Sequence, residues 1–170
     1  FVWHGGEPML AGLDFYRRAV DLQRKYARGK RIENSLQTNA TLIDQEWCDF
    51  LKENNFLVGV SIDGPQSIHD GNRLDKGGRP TFDRVMHAMR RTGVEFNTMT
   101  TVNRLSEGRG REVYLFLKSI GSRFMQFMPV VEYTCRKEPG SRPYIVPPHT
   151  PGSTIGEWSV SPRAFGDFMC

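Results

Sequence analysis

The sequence predicts an α/β protein built on a parallel sheet, and three features of its 170 residues carry that expectation. Short apolar, β-favouring runs alternate with stretches whose apolar residues recur at helical spacing. The alternation repeats along the chain, as it does in βαβ units. Glycine and polar residues follow the runs, as they do at the ligand-binding edge of a parallel sheet. Periodicity leaves a doubly wound sheet and a barrel equally open.

Phe1-Val2-Trp3 reads as the end of a strand running into a glycine turn. Leu13, Tyr16 and Val20 then fall at helical spacing within residues 13–28, and residues 32–37 read as the next strand. Asp44 is the expected N-cap of a helix that buries Trp47, Phe50 and Leu51. Residues 56–62 form a nearly continuous apolar run, the pattern of a strand covered on both faces. Thr81 is the expected cap of a helix burying Phe82, Val85 and Met89, and residues 95–102 follow as a strand.

Val113, Phe116, Leu117 and Ile120 mark a further helix, which Gly121 closes before a strand at 124–128. From 139 to 162 the chain is rich in Pro, Gly, Ser and Thr and reads as a long irregular loop, long enough to act as a lid. A last helix is expected to start at Ser161-Pro162 and to bury Phe165, Phe168 and Met169.

Composition fits one globular domain or part of one, with 38% apolar and 11% aromatic residues. The net charge of +4 and pI near 9.1 come from basic residues scattered among acidic ones, so they read as a solvated surface and not a nucleic-acid footprint. No stretch of 18 apolar residues occurs, and no membrane span or export signal is expected. Cys48, Cys135 and Cys170 are dispersed and odd in number, which suits a reducing, cytoplasmic setting and neither a disulfide framework nor a zinc pair. Cys48 reads as a buried structural thiol, and Cys135 and Cys170 as surface positions on loop or helix.

The residues after the strands carry the chemistry. Gly5-Gly6 permits close backbone approach to a ligand, and Glu7 offers a carboxylate to an ammonium group. Gln37-Thr38-Asn39, Ser61-Ile62-Asp63-Gly64-Pro65 and Gln126-Phe127-Met128-Pro129 occupy the corresponding positions after later strands. Singly, each reads as an ordinary turn or a satisfied strand end, and Asp63-Gly64-Pro65 as a plain turn.

Together, the segments FVWHGGEPMLAGLDFY, SLQTNATLID, FLVGVSIDGPQSIHDGNR and FMQFMPVVE resemble, in order and spacing, the central part of the anaerobic sulfatase-maturating enzymes. These are radical S-adenosylmethionine (SAM) enzymes of the branch with a C-terminal SPASM extension. The resemblance implies an α/β fold, a partial (β/α)6 TIM-like barrel of the radical SAM type, here lacking its first strand and C-terminal extension. Residues 1–132 would be the incomplete core, and 133–170 a loop and helix start leading toward the extension.

The implied cofactors are S-adenosyl-L-methionine and a [4Fe-4S] cluster, and the implied reaction oxidises a Cys or Ser of a sulfatase to Cα-formylglycine. The implied partners are a sulfatase polypeptide with a Cys/Ser-x-Pro-x-Arg motif and an electron donor such as flavodoxin or ferredoxin. By position, Gly5, Gly6 and Glu7 match the segment that meets the methionine amino group of SAM. Ser61 and Arg73 match positions near its ribose and carboxylate, Val131 an apolar backbone position beside the adenine, and Gln37 a residue on the substrate side. A planar guanidinium such as that of Arg73 is well suited to a carboxylate.

The departures are informative too. The family's Cys-x3-Cys-x2-Cys cluster motif is expected upstream of residue 1, and its catalytic carboxylate downstream, so no metal ligand or catalytic residue is assigned within this segment. Ala40 stands where the family usually has Gly. The segment alone is expected to be poorly soluble and catalytically silent. Two alternatives stand beside sulfatase maturation: another SPASM-type peptide modification, and a non-catalytic module that binds SAM or peptide.

Overall fold

The computed structural model describes residues 1–91, 95–138 and 140–170. Five parallel strands form the main sheet in the order β1-β2-β3-β4-β5: β1 is Val2–Trp3, β2 Ser35–Thr38, β3 Leu57–Ser61, β4 Phe96–Val102 and β5 Met125–Pro129. Register is fixed by pairs such as Trp3↔Leu36, Leu36↔Val58, Val60↔Thr98 and Thr100↔Phe127. Spatial order follows chain order with no reversal. That settles the doubly wound and barrel alternatives in favour of an open, barrel-like arc, because a doubly wound sheet needs a point where strand order turns back.

The crossovers carry α1 (Leu13–Tyr26), α2 (Gln45–Glu53), α3 (Gln66–Asn72), α4 (Phe82–Arg91) and α5 (Gly110–Ser119). Tyr16 and Val20 of α1, Trp47, Phe50 and Leu51 of α2, Val85 and Met89 of α4, and Val113 and Leu117 of α5 are buried as their spacing predicts. They pack in one core against Leu36, Val58, Val60 and Val102, so the helices cover a single face of the sheet. Each such apolar side chain stabilises the fold by roughly 1.5–3 kcal/mol when fully buried. The other face carries Gln37, Gly59, Asn97 and Met99 and lines a cavity.

Local chemistry sets the ends of these elements. Asp44 accepts from the Trp47 N–H at 2.9 Å and caps α2 as expected. At the end of α5, Gly121 lies at φ +88° while its N–H bonds the Lys118 carbonyl and the Ser122 N–H bonds that of Leu117. This is the paired bonding of a Schellman ending.

The structure corrects six expectations. The second strand begins at Ser35, three residues later than read. β3 is covered on one face only: Leu57 is 46% exposed, and the apolar run reflects its core side. The Thr81 side chain does not cap α4; Asp70 of α3 reaches across to accept from the N–H groups of Thr81 and Phe82, at 3.1 and 2.9 Å. The expected loop at 139–162, whose Pro139 lies outside the described residues, contributes β7 (Tyr144–Val146) and β8 (Thr154–Ile155). These flank β6 (Tyr133–Cys135) in a small antiparallel sheet, which places Cys135 in a strand. Finally, α6 (Pro162–Met169) starts where expected, with the Ser161 side chain accepting from the Ala164 N–H, and buries Phe168, but leaves Met169 56% exposed.

Cys48 is buried on α2, as read, and Cys170 is exposed. No helix among the described residues is long and apolar enough to cross a membrane.

Candidate functional site

Because the five strands are parallel and sequential, their C-terminal ends line one edge, and the loops after them meet there. After β1, Gly5 and Gly6 adopt φ of +102° and +55°, where side-chain-bearing residues are strained, and a Cβ at either would meet nothing within 4 Å. The glycines are therefore required by backbone conformation, and the space beside them is open to a ligand.

Glu7 ties this loop to the end of β2. One carboxylate oxygen accepts from the Met9 N–H at 3.1 Å and the Thr38 hydroxyl at 2.8 Å, and the other from the Asn39 N–H at 2.8 Å. An ionised carboxylate offers about four acceptor positions, so Glu7 keeps one for a ligand donor. Next along the chain, Ala40 is buried at φ +58°, a left-handed conformation that costs an L-residue roughly 1–2 kcal/mol relative to glycine. Substituting Ala for Gly here strains the turn without opening it: the Ala40 N–H still bonds the Thr38 hydroxyl at 3.0 Å.

On the concave face, Gln37 donates to the Ser61 hydroxyl at 3.1 Å across β3. The crossing passes over Gly59, where a Cβ would overlap the Gln37 amide. The cavity there measures about 580 Å³ and includes His4, Gln37, Gly59, Asn97, Met99 and Gln126 in its lining. The Asn97 side-chain oxygen is buried in its wall with no hydrogen-bond partner.

A second cleft, of about 450 Å³, brings Glu7, Asn39, Thr41, His69 and Arg73 together. Arg73 sits here in a bidentate pair with Asp63, Nε to Oδ2 at 2.7 Å and Nη2 to Oδ1 at 3.0 Å. Asp63 is fully buried, and its Oδ1 also accepts from the Thr101 N–H at 2.9 Å and the Thr101 hydroxyl at 2.8 Å. Four donors thus satisfy the buried carboxylate, as burial of a charge requires.

His69 closes the network. Its Nδ1 accepts from the Asp63 N–H at 3.3 Å, and its Nε2 lies 3.1 Å from the Thr81 hydroxyl. That hydroxyl uses its one proton on the Arg73 carbonyl at 2.7 Å, so Nε2 must carry the proton and the ring is neutral. Burial is the main cause that lowers the His69 pKa to about 4; Arg73 adds to it, while Asp63 and Asp70 oppose it.

The sequence-derived candidates therefore fall into three places. Glu7 and Arg73 share the strand-end cleft, and Gln37 and Ser61 share the concave face. Val131 lies apart, 49% exposed beyond β5. Sequence reasoning missed His69 and Thr101, and it placed Thr38 and Asp63 in strand-end segments without assigning either a role. Asp63 was the most accessible of these, since a carboxylate directly after an apolar strand and ten residues before an arginine signals more than a turn. Among the described residues, no group of three His, Cys, Asp or Glu side chains could hold a metal ion.

A model of the radical SAM superfamily matches residues 1–117. The serine-type anaerobic sulfatase-maturating enzyme of Bacteroides thetaiotaomicron is 43% identical over the whole chain, which spans 42% of that relative. The cysteine-type enzyme of Clostridium perfringens is 45% identical over 75% of the chain and 36% of the relative. A solved structure of native anSMEcpe with bound AdoMet and Cp18Cys peptide superposes with a TM-score of 0.83 at 37% identity, over 99% of this chain and 44% of that one. This chain thus spans less than half the length of the proteins it matches. Since the family match runs through the sheet from β1 to β4 and through the strand-end loops just described, the chain belongs to the radical SAM superfamily.

Proposed function

We propose that this chain is the SAM-binding core of a sulfatase-maturating enzyme that oxidises a Cys or Ser of a sulfatase to Cα-formylglycine. The observation that carries the reading is the strand-end cleft, whose lining includes both a carboxylate with spare acceptor capacity, Glu7, and a guanidinium, Arg73, with the open backbone of Gly5 and Gly6 directly preceding Glu7 in the chain. Those groups suit the two ends of a zwitterionic amino acid such as the methionine part of SAM. The likeness to sulfatase-maturating enzymes of both types, and to a structure with AdoMet and peptide bound, supports the same assignment.

On this reading Glu7 and the Gly5-Gly6 backbone receive the methionine ammonium, and Arg73 donates to its carboxylate. Ser61 hydrogen-bonds near the ribose, the backbone at Val131 borders the adenine, and Gln37 faces the substrate peptide in the concave cavity. When reduced by the family's [4Fe-4S] cluster, SAM supplies the hydrogen-abstracting agent that the reaction needs. The cluster ligands and the catalytic carboxylate are assigned to other parts of the full-length protein, as the resemblance implies. Residues 1–132 are taken as core and 133–170 as the segment leading toward the extension. The setting is cytoplasmic, the substrate carries Cys/Ser-x-Pro-x-Arg, and flavodoxin or ferredoxin is the electron donor.

The test is anaerobic reconstitution of the full-length protein with iron, sulfide, SAM and a reductant, followed by mass spectrometry of Cys-x-Pro-x-Arg and Ser-x-Pro-x-Arg peptides. A peptide aldehyde is the expected product. Cleavage of SAM together with a thioether or carbon-carbon crosslink in place of the aldehyde would overturn sulfatase maturation in favour of another peptide modification.

A further inference from the structure

We propose that Asp63 is a positioning residue for the SAM carboxylate contact, presenting Arg73 to the ligand through two separate arms. The inference rests on the reading of Arg73 as the carboxylate partner. The first arm is the bidentate pair, which locks the guanidinium plane against a fully buried carboxylate held in turn by the N–H and hydroxyl of Thr101 on β4. The second runs through the backbone: the Asp63 N–H holds His69, His69 holds Thr81, and Thr81 holds the carbonyl of Arg73 itself. Side chain and main chain of one arginine are thus both fixed from one residue at the end of β3.

The arrangement leaves Arg73 able to bind. A guanidinium has five N–H donors, of which Asp63 takes two, and the side chain keeps 25% of its surface exposed in the cleft shared with Glu7. Because Asp63 balances its charge, Arg73 attracts a second carboxylate through directed hydrogen bonds more than through net charge. A freely rotating arginine would lose side-chain entropy on binding, and the buried pair has already removed that freedom. Asp63 is therefore expected to act on affinity for the amino-acid part of SAM and not for its nucleoside part.

Equilibrium binding by the full-length protein separates these possibilities with two probes: SAM, and 5′-methylthioadenosine, which has the same nucleoside but no amino-acid group. Asp63→Asn is expected to weaken SAM by roughly tenfold or more while 5′-methylthioadenosine binds unchanged. Arg73→Ala should do the same, and the double variant should lose no more than Arg73→Ala alone. If Arg73→Ala leaves the preference for SAM intact, the reading of Arg73 fails and takes the inference with it. If Arg73→Ala removes the preference but Asp63→Asn keeps it, or weakens both probes equally, Arg73 stands and the positioning role is overturned. Should Asp63→Asn fail to fold, Thr81→Val breaks the backbone arm with no change of charge and is read by the same ratio.

Discussion

His69 is fully buried, and both its ring nitrogens are engaged, which makes it a pH-sensitive point in the network around Arg73. Its pKa, lowered to about 4, means that the folded protein resists a proton which the unfolded chain accepts near pH 6.5. Between those values the unfolded state binds more protons, so stability rises with pH from about 4 to about 6.5 and falls as the medium is acidified. The contribution is on the order of 3 kcal/mol. Urea denaturation at pH 4.5 and pH 7 should show this loss, and His69→Gln should flatten the difference. An unchanged pH dependence in that variant would mean the ring is not the group responsible. At this scale the sequence was half readable. Glu7 and Arg73 could be named from their motifs, and the structure places them in one cleft. Their fixings could not be named, because Thr38 and Thr101 act through tertiary contacts that no local pattern encodes.

Elements were legible wherever one face meets the core. The stripes of α1, α2 and α5, the Asp44 cap, the start of α6 at Pro162 and the Gly121 ending all follow from spacing and side-chain chemistry. The antiparallel sheet of β6, β7 and β8 did not, because its strands are two or three residues long and sit among Pro, Gly and Ser. The start of α4 at Phe82 is legible, but the side chain that accepts from its first N–H groups is not, because Asp70 comes from another helix. Gly110 is a further element that only the structure explains: a Cβ there would overlap the backbone of Phe168, so the glycine lets α6 lie directly on α5. A backbone atom cannot swing aside as a side chain can, and Gly110→Ala should cost about 1–3 kcal/mol through overpacking. Thermal unfolding would register this as a lower Tm. A melting temperature equal to that of the unsubstituted protein would show that α6 does not depend on this close approach.

For the molecule as a whole, sequential strand order is what turns separate motifs into a site. With the helices on one side, the sheet curves around a concave face carrying Gln37, Ser61 and Asn97, and the strand-end loops rise along one edge above it. The apolar run of β3 suggested two covered faces, yet a singly wound arc needs only one, which leaves the other for ligands. The central claim, that this edge binds SAM with its amino-acid part between Glu7 and Arg73, is tested most directly by a crystal structure of the full-length protein with SAM. The methionine ammonium is expected at Glu7 and the Gly5-Gly6 backbone, and the carboxylate within hydrogen-bond reach of Arg73 while Asp63 still holds that side chain. SAM bound elsewhere on the sheet, or its carboxylate out of reach of Arg73, would contradict it.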